Sequence, residues 1–431
     1  MGMMDAFYDA LFALNLLYNF ALEPLFLLFF ARLLGVAYLN PYSITVFALL
    51  PVRLLWLLAG PSVHFTDGVL DQTYQYLILL ENLHFTLRTA VAGLLVFYLS
   101  RDDVLGRFVD RFHFQPLSGE RLRLCALLFF GVFILAFVVT ASWSFGLLNW
   151  LMSPRTGYQL HRSGAGPFYA IAVSMIAVSY ILALLAANSQ KRIIVTWLVF
   201  LPFVFLLGSK GYLVLYTVTA FAFMLIYGFK IRISTVAAAG LVMSTAVLLN
   251  FGSADLVDIF LYFDYYSNSA YFVRAYQNGL TDLFYGEISS TEIIGAVPRA
   301  LWPGKPFVYG ATLLNEIFYP GMAAAGHTPA FGGPILAYAD FGVAGVVLHG
   351  LTDWSYLGTV MMAFMLLTRL RDRGPAFVRT HHFYIFLTLM MLAPGYLNFF
   401  QFPLNLGVML FVSVTLTACA VFPRTRFIRF A

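Results

Sequence analysis

Apolar runs of about 18 residues or more recur from one end of this chain to the other, and they decide what it can fold into. Such a run, folded as a helix, is long enough to cross roughly 30 Å of hydrocarbon. The chain is 61% hydrophobic and 10% charged, whereas soluble domains are about 45–50% apolar and about 25% charged. The sequence therefore predicts an all-α polytopic integral membrane protein.

The runs predict about eleven transmembrane helices, with about ten to twelve as the range. They fall at about 11–31, 42–60, 76–99, 124–142, 168–187, 193–208, 212–228, 233–251, 343–368, 381–401 and 404–422. Glu23-Pro24 interrupts the first run. No small-residue cleavage site follows it, so we expect this run to remain a membrane helix. The whole chain, 1–431, then forms a single membrane domain.

Lysine and arginine sort the intervals between these helices into two sides. Most of the 25 basic residues fall on one side. They are Arg32 and those of the intervals 101–123, 191–192, 230–232, 369–379 and 424–429. The positive-inside rule makes that side cytoplasmic, with the N-terminus outside and the C-terminus inside. The net charge of +5 therefore reflects membrane anchoring, and we expect no nucleic-acid partner.

Two long intervals remain outside the membrane, at 143–167 and 252–334. The larger is predicted to carry short helices, and Ser289 with Glu292 has the pattern of a capping box. The arginines after residue 368 lie on the cytoplasmic side only if the chain crosses the membrane once after the larger loop. We therefore expect a short segment at 333–341 that enters the membrane without crossing it, followed by one long helix. Gly342 is predicted to end this entrant segment, where irregular backbone needs cover from protein or a water-filled cavity.

The sequence offers no pattern typical of a metal site or a disulfide framework. Its two cysteines, Cys125 and Cys419, lie inside apolar runs without a neighbouring His or Cys. There is no Asp-x-Asp pair, and Asp102-Asp103 falls on the cytoplasmic side. We therefore expect neither a metal nor another cofactor.

The remaining cations lie outside or within the membrane, where positive charge is disfavoured. They are Arg53, Arg88, Arg155, Arg162, Lys210, Arg274, Arg299 and Lys305. For Arg53, Arg88 and Arg274 we favour snorkelling or an ion pair. For Arg155, Arg162, Lys210 and Arg299 we favour anion binding, because glycine or proline frames each of them.

Lys210 lies in the sequence Leu-Gly-Ser-Lys-Gly, which predicts a tight turn between two helices. A cation beside glycines, which let backbone amides approach a ligand, suits a phosphate. The glycine spacing differs from that of a Walker motif. In the first loop, Gly164 and Gly166 precede the next membrane helix, whose N-terminal amides could add to an anion site.

These motifs resemble those of the Wzy-type oligosaccharide repeat-unit polymerases of bacterial O-antigen and related polysaccharides. The shared stretches are Gly208-Ser209-Lys210-Gly211, Pro298-Arg299-x-Leu301-Trp302-Pro303-x-Lys305-Pro306, His327-Thr328-Pro329 and Tyr338-x-Asp340-Phe341-Gly342. The family's Arg-x10-Gly pattern occurs once in each external loop, as Arg155 with Gly166 and Arg299 with Gly310. The chain departs from the family at Lys210, where Arg is more usual, and at Leu336, where an acidic residue is often found.

The resemblance implies a metal-independent glycosyltransferase in the bacterial inner membrane, with its active site facing the periplasm. A growing glycan would leave undecaprenyl pyrophosphate and join a new lipid-linked repeat unit. Cations can neutralise this leaving group. Those predicted to do so are Arg155, Arg162, Lys210, Arg274, Arg299 and Lys305. Further implied partners are a polysaccharide chain-length regulator and a flippase.

The acceptor hydroxyl needs a general base, and His327 is the first candidate because histidine titrates near neutral pH. A loop histidine bonded to backbone is the alternative for His327. Arg299 is a further catalytic candidate. The carboxylates Glu292, Asp340 and Glu316 follow, and for Asp340 we favour a structural tie of the entrant turn.

Aromatic side chains of the larger loop are candidates for stacking on sugar rings. They include Tyr265, Tyr266, Trp302 and Tyr309. Trp302 suits an interfacial anchor equally well. His349, inside an apolar run, is interpreted as structural.

Two other functions are compatible with the sequence. An O-antigen ligase would use similar external Arg and His residues but would hand the glycan to the lipid A core. A flippase or transporter of the lipid-linked unit would place cations through a central cavity and usually contains internal repeats, which this sequence lacks.

Overall fold

The computed structural model is all-helical, with no strand among the residues it describes. Those residues are 2–36, 68–101, 118–160, 165–232, 266–297, 302–323 and 331–353, with short pieces and single positions elsewhere. The described α-helices are α1 (Gly2–Leu17), α2 (Glu23–Leu34), α3 (Gly68–Arg101), α4 (Gly119–Ser144), α5 (Leu147–Met152), α6 (Pro154–Leu160), α7 (Gly166–Ala186), α8 (Gln190–Leu206), α9 (Lys210–Ile226), α10 (Ser267–Gln277), α11 (Glu287–Thr291), α12 (Thr312–Phe318) and α13 (Ile335–Thr352).

Four helical stretches of the described chain are long and apolar enough to cross a membrane. They are Phe7–Leu34, Gly119–Ser144, Gly166–Ala186 and Ile335–Thr352. The first three correspond to the predicted spans 11–31, 124–142 and 168–187. The fourth begins ahead of the predicted span 343–368. Length and composition thus confirm the all-α membrane class.

The other predicted spans are not among these four candidates. The helix α3 covers 76–99, but it is not among the four candidate spans found in the described residues. The helices α8 and α9 have 17 residues each, about the minimum for crossing a bilayer. The remaining predicted spans lie wholly or largely outside the described residues. They are 42–60, 233–251, 381–401 and 404–422. The number of eleven spans therefore stays a prediction.

The chain divides into two compact units. Unit 1 comprises Met1–Asp103 and Phe251–Met361, and unit 2 comprises Val104–Asn250 and Met362–Ala431. The predicted loop 143–167 consequently belongs to unit 2, and the predicted loop 252–334 belongs to unit 1.

In unit 1, the π-helix Tyr18–Leu22 joins α1 to α2 just ahead of Pro24. Proline has no N–H to donate and crowds the carbonyl four residues earlier, so a wider turn lets the helix continue. Asn19 in this turn donates to the Asn15 carbonyl at 2.8 Å. Asn15 itself donates to the backbone and side-chain oxygens of Gln75 in α3, at 2.9 and 3.0 Å. The interruption at Pro24 is thus a local widening of the helix.

The helices α3 and α13 of unit 1 run parallel, because their contacts follow the same order along both. The contacts pair Tyr76 with Tyr338, His84 with His349, and Arg88 with Asp353. A Cβ at Gly350 would lie 3.1 Å from the Leu87 Cβ, so glycine permits this close approach, as small residues do between membrane helices. The predicted topology starts both helices outside and therefore requires parallel packing.

The larger loop packs on these two helices through a buried apolar cluster. Its residues are Leu77, Leu80, Ala270, Phe272, Val273, Ile288, Leu314, Ile335, Tyr338, Ala339 and Val346. Burying one large apolar side chain contributes about 1.5–3 kcal/mol. Because the cluster combines residues of α3, α10, α11, α12 and α13, the loop's short helices are ordered by burial against the long ones.

The helix α13 is broken near its start, at Phe341 (φ −141°) and Gly342 (φ +61°). Glycine adopts a positive φ without the steric cost of a side chain. The break removes the helical partners of the Ala339 and Asp340 carbonyls. The N–H groups at 284 and 285 donate to these carbonyls, at 2.8 and 2.9 Å. The break falls at the glycine where the entrant segment was predicted to end.

Unit 2 is built around α7, most of whose residues are buried. Ser179 of α7 donates to the Ala126 carbonyl of α4 at 2.7 Å. Tyr180 stacks on Tyr216 of α9 with ring centroids 4.8 Å apart, and its hydroxyl donates to the Tyr216 carbonyl. These contacts fix α4 and α9 on α7.

Candidate functional site

A turn in unit 2 joins α8 to α9 and carries Lys210 as the first residue of α9. The last carbonyls of a helix have no partners within it. Here the Trp150 indole donates to the Leu206 carbonyl at 2.7 Å, and the Tyr169 hydroxyl donates to the Leu207 carbonyl at 2.8 Å. Because both aromatic side chains are buried, they hold the turn in one place.

Gly208 in this turn makes room for α6, which lies in the predicted loop 143–167. Its φ is +73°, and a Cβ there would lie 2.2 Å from the Pro154 carbonyl oxygen and 2.6 Å from the Tyr158 Cβ. Backbone cannot rotate away from such a contact as a side-chain tip can. Glycine at this position therefore lets α6, which carries Arg155, lie directly against the turn.

Arg155 and Lys210 are consequently neighbours in unit 2. The Arg155 guanidinium lies 5.3 Å from the centroid of the Tyr158 ring, a distance typical of a cation–π contact. The Lys210 Nζ is shielded from solvent, and Lys210 precedes the predicted span 212–228. Burial, followed by the charge of Arg155, lowers the pKa of Lys210 from 10.5 to about 7. An anion bound beside both groups would relieve their mutual repulsion.

Asp340 in unit 1 is fully buried just ahead of the break in α13. Its carboxylate accepts from the Ile288 N–H at 3.0 Å, and from the N–H (2.9 Å) and hydroxyl of Ser289. This geometry agrees with the structural interpretation favoured for Asp340. The capping-box prediction for Ser289 is wrong, because α11 begins at Glu287 after Gly286 (φ +92°) and Ser289 donates to Asp340 instead.

Lys305 is only 7% exposed and holds the larger loop together. Its Nζ donates to the carbonyls of Gly295 and Val297 at 3.2 and 2.9 Å, where a 3₁₀ turn ends. It also lies 4.8 Å from the centroid of the Tyr309 ring. A cation is favourable at a helix C-terminus. Lys305 thus ties down the described ends of the segment that contains Arg299, and its binding of pyrophosphate stays a prediction.

Gly310, the glycine of the second Arg-x10-Gly pattern, packs against Glu292. Its φ is +55°, and a Cβ there would lie 2.5 Å from the Glu292 Oε2. The Gly310 N–H donates to the Thr291 hydroxyl oxygen at 2.8 Å. Gly166 of the first pattern has no atom within 4 Å of a Cβ position. Close packing therefore requires glycine at position 310, whereas the space around Gly166 would admit a side chain.

The other described candidates of unit 1 lie apart from these contacts. Arg274 is in the last turn of α10, and Trp302 is 40% exposed. Glu316 accepts from the N–H groups of Gly321 and Ala323, at 2.7 and 3.4 Å. The Glu316 carboxylate thus orders the chain after α12, which favours a structural role over that of a base.

Three predicted site residues lie outside the described part of the chain, namely Arg162, Arg299 and His327. Their roles in anion binding and proton transfer stay predictions. Among the described loop residues, no group of His, Cys, Asp and Glu has the spacing of metal ligands.

Two residues near the candidate sites were missed from the sequence. Tyr158 stands three residues after Arg155, and that helical spacing was a usable signal for their contact. Glu81 of α3 accepts a hydrogen bond from the Tyr266 hydroxyl, and its Cβ lies 3.8 Å from a Cβ position at Gly333. Nothing local predicts the second contact, because tertiary packing alone brings α3 to the loop.

Replacing Gly208 by alanine should lower the free energy of unfolding by at least about 1–2 kcal/mol, the cost of a left-handed backbone for an L residue. The clash with the Pro154 carbonyl adds to this cost. The measurement is the melting temperature of the purified protein. Gly211→Ala is the matched control, since a Cβ there meets only the Ser209 Oγ at 3.8 Å. Equal melting temperatures for the two variants would contradict the packing described for Gly208.

Replacing Asp340 by asparagine should also lower the melting temperature, because the new amide would turn a donor toward the donors of Ser289. Hydrogen bonds to a charged group contribute about 1.5–3 kcal/mol each. Asp282→Asn, exposed in the same loop, is the control. A variant at Asp340 that melts like the wild type but is inactive would point to catalysis instead.

Comparison with curated proteins finds similarity to the O-antigen polymerase of Salmonella typhimurium (strain LT2) and to that of Salmonella typhi. In both cases the identity is 26% over 218 residues, covering 48% of this chain and 52% of the relative. The chain therefore spans about half the length of the curated relatives it matches. No protein-family model and no solved structure matches the chain. With its apolar helices, this similarity indicates a bacterial integral membrane protein. The resemblance predicted from the loop motifs is confirmed: over about half its length, the chain is similar to the O-antigen polymerases.

Proposed function

We propose that the chain polymerises undecaprenyl-pyrophosphate-linked oligosaccharide repeat units at the periplasmic face of the bacterial inner membrane. The observation that carries this proposal is a pair of neighbouring cations in unit 2, Arg155 in α6 and Lys210 beside the glycine-containing turn. The similarity to O-antigen polymerases supports the same reaction.

The reaction requires a pyrophosphate to leave and a hydroxyl to attack. The acceptor hydroxyl oxygen forms a bond to the anomeric carbon, the bond from that carbon to the pyrophosphate oxygen breaks, and a base takes the hydroxyl proton. Negative charge grows on the pyrophosphate as this bond breaks. Cations already fixed in place stabilise that charge without reorganising. Arg155 and Lys210 are held in this way by Tyr158 and by the Gly208 turn, and no metal is required.

In unit 1, Lys305 and Gly310 order the chain on both sides of Arg299, which we assign to charge stabilisation together with Arg274. Arg162 of unit 2 is proposed to have the same role. His327 is the proposed general base, and Glu292 is the alternative. Glu292 is exposed and lies against Gly310, so a substrate could reach its carboxylate. The proposed partners are a chain-length regulator and a flippase.

Sugar rings are proposed to stack on Trp302, whose side chain is exposed. Tyr309 is half-buried with Lys305 beside its ring. Tyr309 could therefore stack on a sugar only with the ring face opposite Lys305.

A gel of surface polysaccharide from a deletion strain tests the function. Complementation with the wild type should restore long chains, whereas Arg155→Ala, Arg299→Ala and His327→Ala should leave single repeats on the lipid A core at normal protein levels. Lys191→Ala, an exposed residue on the predicted cytoplasmic side, is the control and should restore long chains.

The other outcomes separate the alternatives. A core without any repeat would indicate a ligase, and lipid-linked units accumulating in the cytoplasm would indicate a flippase. Normal chain lengths in the Arg155 and Arg299 variants would overturn the assignment of both residues to the reaction.

Binding of inorganic pyrophosphate should depend on pH through Lys210. With a pKa of about 7, the ammonium loses its proton as pH rises, so affinity should fall about tenfold for each pH unit above that value. Lys210→Arg keeps its charge, because arginine has a pKa above about 12, and this component of the pH dependence should disappear. Titration calorimetry measures the pyrophosphate affinity of the wild type and of the Lys210→Arg variant at each pH. The ionisation of pyrophosphate affects both proteins equally, so it cancels in the comparison.

Lys191→Arg is the control for the substitution and should follow the wild-type profile. Parallel profiles for the wild type and the Lys210→Arg variant would show that Lys210 is not the titrating cation.

A further inference from the structure

A cluster of ionisable side chains lies between α3 and α13 of unit 1, apart from the loop residues assigned to the polymerase reaction. It consists of His84 and Arg88 from α3, with His349 and Asp353 from the end of α13. Each pair is spaced four residues apart, which puts both members on one face of a helix. Ionisable groups in membrane segments are costly and usually functional.

The two histidines are in direct contact. The Nε2 of His84 lies 2.8 Å from the Nδ1 of His349, and the rings stack with centroids 5.0 Å apart. Gly350 permits this approach, since a Cβ there would lie 3.2 Å from the His84 carbonyl oxygen. His84 is buried, whereas His349 is exposed.

Asp353 completes a set of three possible metal ligands. One nitrogen from each histidine and one carboxylate oxygen of Asp353 all lie within 4.8 Å of one another. Ligand atoms about 2.0–2.1 Å from a tetrahedral zinc ion lie about 3.3 Å apart. The ligand atoms would therefore need only small side-chain movements to reach coordination distance. One Asp353 oxygen accepts from Arg88 at 3.1 Å, which fixes the carboxylate as outer-shell partners of metal ligands do.

The proton positions of the histidine pair are compatible with a bound ion. In the metal-free pair, one ring donates its N–H to the other ring. When an ion binds, the donating ring would carry its proton on the nitrogen that faces away from the other histidine. Both facing nitrogens would then offer lone pairs to the ion, and no net proton would be released. Two neutral imidazoles and one carboxylate are a ligand set of the kind that zinc and neighbouring divalent transition metals prefer.

We propose that His84, His349 and Asp353 bind one divalent transition-metal ion of the zinc class, which cross-links α3 to α13. A solvent molecule would take the fourth position on the exposed side of His349. The ion would brace the helix that carries Asp340 and the break at Gly342. This site does not depend on the polymerase assignment, and it lies outside the proposed pyrophosphate-binding groups.

Metal binding by the full chain, purified in detergent without a histidine tag and treated with EDTA, tests the proposal. Co²⁺ titration should give the visible absorption of a tetrahedral site, saturating at one ion per chain, and Zn²⁺ should displace the Co²⁺. Loss of an outer-shell partner typically costs about 10–100-fold in affinity, so His349→Asn should lose at least about 100-fold. Saturating Zn²⁺ should raise the melting temperature of the wild type but not of this variant.

His349→Asn is the main variant because its side chain is exposed, whereas His84→Asn changes a buried group and serves as confirmation. Thr86→Val is the matched control. It removes a hydroxyl of α3 that bonds Tyr18 instead of the cluster, and it should bind Co²⁺ like the wild type. Failure of the wild type to bind at micromolar Co²⁺ or Zn²⁺ would overturn the proposal. Unchanged binding by His349→Asn would overturn it as well.

Discussion

Unit 1 depends on one constraint, which is that a polar group taken out of water needs a partner. The break in α13 exposes the Ala339 and Asp340 carbonyls, and the backbone N–H groups at 284 and 285 satisfy them. The Asp340 carboxylate in turn satisfies the start of α11. Loop and helix thus complete each other's hydrogen bonds where the loop docks on α13.

The same constraint explains the end of α8 in unit 2. Its final carbonyls accept from Trp150 and Tyr169, which belong to the first loop and to α7. These two bonds and the Gly208–Pro154 contact hold Arg155 and Lys210 close together although like charges repel. The packing thus offsets the repulsion between the two cations before any ligand binds, and the proposed anion would be stabilised by both.

Position within the fold separates cations that look alike in sequence. Lys305 and Lys210 both stand next to glycine or proline, and both were predicted to bind pyrophosphate. Lys305 donates to two carbonyls that close its own loop. Lys210 lies beside a second cation, and burial followed by the charge of that neighbour, Arg155, lowers the pKa of Lys210 to about 7. Arg88, for which an ion pair was favoured, contacts Asp353.

The sequence by itself determined the class of this protein, because runs long enough to cross a bilayer and a strongly uneven charge distribution are local properties of the chain. It also singled out the candidate cations and Gly342, at which α13 breaks. Only the tertiary structure decided which side chains meet. Asp340 with Ser289, Glu81 with Tyr266 and His84 with His349 are separated by 51, 185 and 265 residues, respectively. Contacts over such distances follow from helix packing, which no local pattern encodes, and so the chemistry of each polar residue depended on the neighbours that packing gave it.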